Sequence, residues 1–299
     1  MEKNSIKLSL VIPARDKNDQ KLAELLASID RQDFPKEQME VLVITEGTSE
    51  SAKAIGIRRA KGEVIGILAS DNTLEYKGAL SWLFEKARVF GAVYPIWYEY
   101  NPTDDYLNRY FSLIGGNDPL SYYMDKNDRI THFQPPTTKR DGKRSYGDNG
   151  FFVRRDLIID TNLDNYYHID NANEIGVQPV ALNSSAVRHN TGGNFLSFFA
   201  KRYRYGLQHA FNQNRRWHLV DFSQPKDIMR LLWFILASLT LIHPLMTSLK
   251  GYRKLPDLAW FVHPIACLMT VLTYGVLMIH VGCLRLARLL YAPTVVQKA

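Results

Sequence analysis

The chain has 299 residues, 46% of them hydrophobic, and a formal net charge of +7 at pH 7. This length is enough for one large domain or two smaller ones. The two cysteines, Cys267 and Cys283, have neither the number nor the spacing of a disulfide framework or a zinc site. The basic balance suits anionic lipid or phosphorylated substrates, and no nucleic-acid-binding motif is present. The first residues, MEKNSIKLSLVIP, lack the apolar core of a secretory signal, so we expect the soluble part to face the cytoplasm.

The first hundred residues alternate between short apolar runs and segments with helical spacing. We predict strands at 8–14, 39–47, 64–70 and 91–98, and helices at 21–32, 51–61 and 76–90, with Gly62 as the C-cap of the second helix. This alternation predicts right-handed βαβ units and a doubly wound, mostly parallel sheet of the α/β class.

Three consecutive predicted strands each carry an acidic residue at or just after the carboxyl end: Asp16, Glu46 and Asp71. One such residue alone usually belongs to a turn, and Asn72 beside Asp71 is also typical of a helix cap. Ligands of doubly wound sheets bind beyond the carboxyl ends of the strands. The three acidic residues together therefore favour a nucleotide and metal site at that edge.

Residues 101–145 are rich in Asp, Asn, Pro, Tyr and Lys, with few periodic apolar positions. We expect a long irregular loop there, part of which serves as a substrate lid. Residues 201–217 carry five Lys or Arg and no acid. This basic run precedes the apolar end of the chain, where it would meet lipid head groups; a solvated charged face is the alternative.

Two apolar segments, 228–249 and 258–283, close the chain. Each is long enough to cross the roughly 30 Å hydrocarbon layer of a membrane. We expect a two-helix transmembrane or membrane-embedded hairpin, with kinks at Pro244 and Pro264. The positive-inside rule favours the cytoplasm for the cations of the connecting loop KGYRKLPD and also for those that flank the two apolar segments. A full span and a re-entrant hairpin therefore both stay open. A hairpin buried in a protein core is a further alternative.

Several stretches, taken in order, resemble the N-terminal half of family 2 glycosyltransferases of the GT-A fold. They are LSLVIPARD, LLASIDRQDFP, MEVLVITEG and AIGIRRAKGEVIGILASDN, while GDNGFFVRRD resembles the acceptor half. The resemblance spans residues 6–217. It implies a Rossmann-like GT-A catalytic domain at 1–217, with a nucleotide-sugar half at 1–100 and an acceptor half at 101–217. Residues 218–299 would then form the membrane-associated helical hairpin and basic tail.

The resemblance also implies which residues bind the donor. Glu46 takes the place of the second of two aspartates that the family carries on its second strand, and Lys53 takes the place of an arginine. Lys53 would offer a point charge to a diphosphate, and a solvated helix surface is the alternative for it. The implied donor-binding residues are Pro13, Ala14, Arg15, Glu46, Lys53, Ser70 and Asp71.

The letters ASD at 69–71 stand where the family has Asp-x-Asp. Ala69 replaces the first aspartate and Asp71 retains the second, which in the family binds a divalent ion on the donor phosphates. The resemblance therefore implies Mg²⁺ or Mn²⁺ as cofactor, with Asp71 as a ligand. His189 is the candidate for a further ligand, although most single histidines are not ligands. Asn72 would either add an oxygen or cap a helix.

Inverting sugar transfer needs a base on the acceptor hydroxyl and positive charge near the leaving diphosphate. The resemblance assigns the base to Asp170, in NYYHIDNANEIG, with Asp148 as the rival or as a residue that orients a sugar. His168 stands where the family usually has Glu, and it would contact the acceptor, tune Asp170 or simply occupy a turn.

Two motifs point to the acceptor. QNRRW, with Gln213, Arg216 and Trp217, matches the Gln-x-x-Arg-Trp pattern of processive polysaccharide synthases, in which Trp stacks on a sugar and Arg faces the diphosphate. KRYRYG, with Arg202 and Arg204, resembles a motif of nonprocessive lipid-linked transferases, where it would hold a lipid phosphate.

The resemblance and the apolar end together predict an inverting, metal-dependent glycosyltransferase of cell-surface glycan synthesis. It would transfer one sugar from a nucleotide sugar, of the UDP type, to polyprenyl phosphate or a polyprenyl-diphosphate glycan at the cytoplasmic face of the inner membrane. Two predicted apolar segments are too few for a secretion channel, which disfavours the alternative of a short processive polysaccharide synthase. A second alternative is a non-catalytic, membrane-tethered scaffold that binds nucleotide sugars. A homo-oligomer is left open.

Overall fold

The structure, a computed structural model, describes residues 5–95, 100–116, 118–124, 149–182, 186–190, 195–210 and 218–291. The chain divides into two compact units. One comprises Met1–Pro102 and Lys126–Thr191, and we call it the sheet unit. The other comprises Thr103–Asp125 and Gly192–Ala299, and we call it the helical unit. The segments 103–125 and 192–210 thus group with the C-terminal helices. The functional boundary expected at residue 217 stays a prediction.

The sheet unit contains all strands of the described residues. They are β1 (Leu8–Pro13), β2 (Met39–Ile44), β3 (Val64–Ile67), β4 (Asn72–Leu74), β5 (Ala92–Pro95), β6 (Phe151–Arg154), β7 (Val180–Leu182) and β8 (Val187–His189). Six of them form one sheet in the order β2-β1-β3-β6-β5-β7, while β4 and β8 form a separate antiparallel pair. In the large sheet β1 is parallel to β2 and β3, β5 is parallel to β7, and β6 is antiparallel to both its neighbours. The predicted fold class, an α/β domain with a mostly parallel sheet, is confirmed.

The α-helices of the described residues alternate with the strands in the sheet unit and follow one another in the helical unit. They are α1 (Gln20–Asp30), α2 (Ser49–Arg59), α3 (Ala79–Phe90), α4 (Tyr106–Ile114), α5 (Pro119–Tyr123), α6 (Arg155–Ile158), α7 (His168–Glu174), α8 (Phe195–Ala210), α9 (Pro225–Thr240), α10 (Ile242–Lys254) and α11 (Val262–Tyr291). Short 3-10 turns lie at Lys36–Gln38 and Leu258–Phe261.

Helices cover both faces of the sheet because successive strand residues point to opposite sides. On one face, Leu10 of β1 belongs to an apolar cluster with Leu25 of α1 and Leu83 of α3. On the other face, Val11 of β1 clusters with Ile57 of α2. Both faces of the central strands are therefore buried, as their continuous apolar runs predict.

Two predicted helix boundaries are wrong. The second helix ends at Arg59, and Gly62 does not cap it. Gly62 instead lies against β1, where its N–H donates to Ser9 Oγ at 2.8 Å and an added Cβ would come within 2.6 Å of the Ser9 backbone nitrogen. The third helix begins at Ala79 and not at residue 76, because residues 76–79 form a turn in which the Ala79 N–H donates to the Tyr76 carbonyl at 3.1 Å.

The expectation of an irregular loop over 101–145 is wrong for its first part, which holds α4 and α5. Asp105 caps α4 by accepting from the N–H groups of Leu107 and Asn108, and Gly115 ends the helix in the left-handed region at φ 68°. The helix buries Leu107, Phe111 and Ile114, so a helical apolar stripe lies within the polar composition. Residues 125–148, with the rest of the expected loop, lie outside the described residues.

The apolar end of the chain differs from two simple spans. The first segment breaks at Leu241, which has φ 60°, and α9 and α10 meet there at 85°. Pro244 accounts for a break before it, because its ring would clash with the carbonyl four residues earlier if the helix continued. Pro264 does not kink α11, since it lies in the first turn, where proline is tolerated.

By length and apolar composition, one helical segment of the described residues, Leu258–Leu286, is long enough to cross a membrane. The bent pair α9 and α10 would count as a second only if both helices belonged to one span.

Candidate active site

The candidate site of the sheet unit is the edge where β1, β2 and β3 end. The three strands are parallel, so their carboxyl ends meet at one edge, and the Ala14 N–H donates across it to the Ile44 carbonyl at 2.9 Å. The antiparallel strand β6 begins at the same edge, where the Gly150 N–H donates to the Ile67 carbonyl at 3.0 Å. This is the position at which open α/β sheets bind ligands.

Asp71 and His189 meet at this edge although 118 positions separate them in the chain. His189 Nε2 lies 3.3 Å from Asp71 Oδ1, with side chains 8% and 15% exposed. The small β4–β8 sheet creates the pairing: Asn72 is opposite His189, and the Asn190 N–H donates to the Asp71 carbonyl at 2.9 Å. The structure thus brings together the two residues that we predict as metal ligands. Their role as ligands stays a prediction.

Asn72 has a local structural role at the end of β3. Its Oδ1 accepts from the Ala69 N–H at 2.8 Å, and its own N–H donates to the Ala69 carbonyl at 3.0 Å, which closes the turn 69–72. Its amide Nδ2 donates to Asn149 Oδ1 at 3.0 Å, and the side chain is fully buried. Asn72 therefore fixes the turn that carries Asp71, and it begins a strand rather than capping a helix.

Glu50 links α2 to α7 beside this edge. Its Oε1 accepts from Lys53 Nζ at 3.0 Å, and its Oε2 accepts from the His168 backbone N–H at 3.1 Å. The Thr48 capping box fixes the N-terminus of α2, where Glu50 lies in the first turn. No side chain at the N-cap position Tyr167 caps α7, so Glu50 supplies an acceptor from another element.

Lys53, the residue expected either to offer a charge to a diphosphate or to lie on a solvated helix surface, is buried. Its side chain is 2% exposed, and its ammonium faces Glu50. The alternative of a solvated helix face is excluded by that burial. A contact between Lys53 and a donor diphosphate stays a prediction.

Asp170 lies in the first turn of α7, and the residue is 6% exposed. His168, two residues earlier, is also buried. Its Nδ1 lies 3.0 Å from the Tyr166 hydroxyl, and its ring packs edge-on against Phe151 with the ring centroids 5.1 Å apart. Phe151 is the register partner of Ile67, the last residue of β3. The start of α7 therefore packs, through His168, against the first residue of β6, which is paired with the end of β3. The role of Asp170 stays a prediction.

The remaining donor candidates follow the same strands. Pro13 ends β1, Ala14 is half-buried behind it, and Arg15 is exposed. Glu46 follows β2 and is held by Arg59, whose Nη2 lies 3.2 Å from Glu46 Oε2. Ser70 precedes Asp71 in the turn and is half-buried.

The acceptor candidates are partly described. In the helical unit, Arg202 Cζ lies 5.1 Å from the centroid of the Phe198 ring, and Arg202 Nη1 lies 4.0 Å from Asp118 Oδ2. The same Asp118 oxygen accepts from the Tyr274 hydroxyl. Arg204 is exposed. Four predicted site residues lie outside the described residues: Asp148, Gln213, Arg216 and Trp217.

The Asp71–His189 pair suits a divalent ion by its chemistry. Mn²⁺ and Mg²⁺ favour carboxylate oxygen, Mn²⁺ also accepts imidazole nitrogen, and both ions commonly take few ligands from the protein when phosphates supply the rest. The described residues contain no group of three or more His, Cys, Asp or Glu side chains arranged to hold a metal ion. The two residues present therefore fit a site that a phosphate ligand completes.

Sequence reasoning did not single out Glu50 and Asn149. Glu50 is three residues before Lys53 in a helix, which is a spacing for ion pairs, but nothing in the sequence indicates the contact with His168 across 118 positions. Asn149 lies within the GDNGFF motif, in which the resemblance singled out Asp148 only.

No protein-family model matches the chain, and no curated protein matches its sequence. Among solved structures, the chain is similar to mannosyltransferase PcManGT from Pyrobaculum calidifontis, in complex with GDP-Man and Mn²⁺. The TM-score is 0.50 at 13% identity, over 89% of this chain and 86% of that one. The chain is also similar to residues 1–349 of S. aureus TarS in complex with UDP, with a TM-score of 0.43, 13% identity and coverages of 85% and 76%.

At this identity, the similarity to the mannosyltransferase establishes a shared fold, in agreement with the predicted GT-A type. The lower TM-score of the TarS match adds nothing to that conclusion.

Proposed function

We propose that the chain is an inverting glycosyltransferase that uses a nucleotide sugar, of the UDP type, as donor. The observation that carries the proposal is the Asp71–His189 pair, 3.3 Å apart at the carboxyl edge of a parallel sheet. The similarity in fold to a mannosyltransferase in complex with GDP-Man and Mn²⁺ supports it.

The donor would lie along the ends of β1, β2 and β3. Pro13, Ala14 and Arg15 follow β1, and the Glu46 carboxylate can accept hydrogen bonds from a nucleotide base or ribose. Because Arg59 holds Glu46 in the free protein, donor binding at Glu46 has to compete with that exposed ion pair, which costs little.

Asp71 and His189 would hold the divalent ion, Mg²⁺ or Mn²⁺. When bound, the ion supplies positive charge to the leaving diphosphate. Asp71 brings a carboxylate oxygen and His189 a ring nitrogen, and the turn closed by Asn72 keeps the carboxylate in place.

Asp170 would accept the proton of the acceptor hydroxyl. Burial and the fixed start of α7 hold this carboxylate with little freedom, which suits a base that must meet one hydroxyl in one orientation. Two side chains fix this helix start: Glu50 accepts from the His168 N–H, and Asn171 accepts from the Tyr167 N–H.

The acceptor would be a lipid-linked phosphate or diphosphate, and the protein would work at the cytoplasmic face of the inner membrane. The basic run 201–217 and the apolar C-terminal helices support this part of the proposal. Arg202 and Arg204 are the described candidates for the acceptor phosphate.

The test is an assay of the purified protein in detergent against a panel of nucleotide sugars, which scores nucleotide release with and without a lipid extract. We expect lipid-dependent release of one nucleotide, products with a single added sugar, and loss of turnover in Asp170→Asn with donor binding nearly intact. Full activity of Asp170→Asn would refute the assignment of the base. Products of many sizes would favour a processive synthase, and absence of nucleotide binding at millimolar concentration would overturn the proposal.

A further inference from the structure

The three C-terminal helices of the helical unit each have a buried stripe and an exposed apolar stripe. In α11 the exposed stripe is Ile265, Leu272, Val276, Ile279 and Leu286, each at least 50% exposed. The spacing of 7, 4, 3 and 7 keeps these residues on one side of the helix.

The opposite side of α11 is packed inside the unit. Ala266, Cys267, Thr270, Leu277 and Val281 lie there, and each is at most 7% exposed. The helix therefore has one face committed to protein and one apolar face without described protein neighbours that cover it.

The bent pair repeats this arrangement. In α9 the exposed apolar residues Met229, Leu232, Trp233 and Leu236 follow helical spacing, opposite the buried Phe234. In α10 the exposed apolar residues are Ile242, Leu245, Met246 and Leu249, and the opposite face is buried at Pro244, Ser248 and Gly251. Exposed apolar stripes on three consecutive helices exceed what a soluble surface usually carries, so they indicate an apolar partner.

The exposed charges of these helices are cations. The only acidic residues between 225 and 286 are Asp227 and Asp257, which are 6% and 8% exposed. The exposed charged residues at the ends of α9 and α10 are Lys226, Lys250, Arg253 and Lys254. A surface that combines apolar stripes with cations at its ends is complementary to anionic phospholipid.

Neither helix of the bent pair is long enough to cross a bilayer. With 16 and 13 residues, α9 and α10 are about 24 Å and about 20 Å long, against roughly 30 Å of hydrocarbon. Their 85° bend prevents the two lengths from adding along one direction.

The helix α11 is long enough, but α8 runs beside it on the face opposite the exposed stripe. An added Cβ on Gly206 would meet the Leu277 side chain at 2.2 Å, and Arg285 donates to the Ala210 carbonyl at 3.3 Å. Tyr203 also pairs with His280.

Because of these contacts, a crossing α11 would carry α8 into the hydrocarbon with it. Lys201, Arg202 and the exposed Arg204 belong to α8, and charged side chains at that depth are strongly unfavourable.

We propose that the helical unit binds one leaflet of an anionic membrane, with the exposed stripes of α9, α10 and α11 in the leaflet and none of these helices crossing it. This inference rests on the membrane association in the proposed function and is independent of sugar transfer. An interfacial orientation keeps α8 and its cations on the aqueous side of α11, while the apolar stripe of α11 faces the acyl chains.

The first test is the sidedness of single cysteines in proteoliposomes. In a background with Cys267 and Cys283 replaced by serine, Lys254→Cys reports on the loop between α10 and α11, Lys298→Cys reports on the C-terminal tail, and Lys17→Cys in the sheet unit marks orientation. A membrane-impermeant maleimide should label Lys254→Cys and Lys298→Cys to the same extent as Lys17→Cys, before detergent is added. Protection of Lys254→Cys alone would mean that the bent pair and α11 both cross, protection of Lys298→Cys alone would mean that α11 crosses, and protection of both would mean that the bent pair crosses. Each of these results overturns the proposal.

The second test is flotation with preformed vesicles of phosphatidylcholine and phosphatidylserine. We expect Leu232→Asp with Leu236→Asp to weaken vesicle binding at least tenfold. Val89→Asp, at a site of the sheet unit that is even more exposed, should leave binding unchanged. If the wild-type chain fails to float, or self-associates through this surface without lipid, the proposal is wrong. Since neither test reads turnover, an inactive protein that floats with both reporters accessible would refute the proposed function and leave this inference standing.

Discussion

Replacing Glu50 by alanine removes the side chain that joins α2 to α7. The resulting loss in the free energy of unfolding follows from the two contacts that Glu50 makes. The substitution deletes a hydrogen bond from the buried ammonium of Lys53 to a charged acceptor at 3.0 Å, which contributes about 2 kcal/mol. It also deletes the acceptor for the His168 amide at the start of α7, which contributes about 1 kcal/mol as a helix cap. We therefore expect Glu50→Ala to lower the free energy of unfolding by about 3 kcal/mol.

The assay is urea unfolding in detergent micelles, followed by circular dichroism. The matched control is Glu24→Ala, since Glu24 is exposed on α1 and accepts one exposed hydrogen bond from Gln20. The control should cost less than about 0.5 kcal/mol. Hydrogen exchange should also show faster exchange in α7 of Glu50→Ala, and unchanged exchange there in the control.

A double-mutant cycle separates the two contacts of Glu50. Lys53→Met removes the buried cation, so the additional cost of Glu50→Ala in that background should fall to about 1 kcal/mol, the contribution of the cap. If Glu50→Ala lowers the free energy of unfolding no more than Glu24→Ala, the described link between α2 and α7 is wrong. If the effects of Glu50→Ala and Lys53→Met add fully, the described contact between Lys53 and Glu50 is wrong.

Two further predictions concern the frame of the site. Gly150→Ala should lower the free energy of unfolding by about 3 kcal/mol, because Gly150 has φ 86° and its added Cβ would lie 2.8 Å from a valine methyl. Gly176→Ala should lower it by about 1 kcal/mol, because Gly176 has φ 73° but its added Cβ would have nothing within 4 Å. Equal costs in thermal unfolding of the two variants would contradict the close packing at Gly150. Asn72→Ala should lower the free energy of unfolding by about 3 kcal/mol, because the Ala69 N–H loses a part-buried hydrogen bond and Asn149 Oδ1 loses a buried one. A loss below about 0.5 kcal/mol in the same measurement would mean that the turn does not depend on this amide.

The central strands and the helices between them were predictable from the sequence because their signals are local. Continuous apolar runs give β1 and β3, and residues such as Leu22, Leu25 and Ile29 give the stripe of α1. The small strand β4 was not predictable, because it has three residues, begins with a polar Asn72, and exists only through pairing with β8 more than a hundred residues later.

The helix α4 was missed for a different reason. Asp104, Asp105 and Asn108 make its composition similar to that of a loop, although Asp105 is the helix cap. In the same way, His263-Pro264 is typical of a kink within a helix, yet the proline lies in the first turn because the 3-10 turn before it ends at Phe261.

The same distinction between local and long-range information applies to the candidate site. Resemblance in sequence was enough to single out Asp71, His189 and Asp170 one by one. The approach of Asp71 to His189 depends on the register of β4 with β8, and the burial of Lys53 depends on Glu50, so neither was open to reasoning from local pattern.

The most direct test of the central claim, that Asp71 and His189 together hold a metal ion for a nucleotide sugar, is calorimetry of UDP binding with and without Mn²⁺. We predict that the wild-type protein binds UDP far more tightly with Mn²⁺. Asp71→Asn and His189→Gln should each abolish most of that gain, and the double variant should lose little more than either single one. Equal UDP affinity with and without Mn²⁺, or variants that keep the full gain, would contradict the claim.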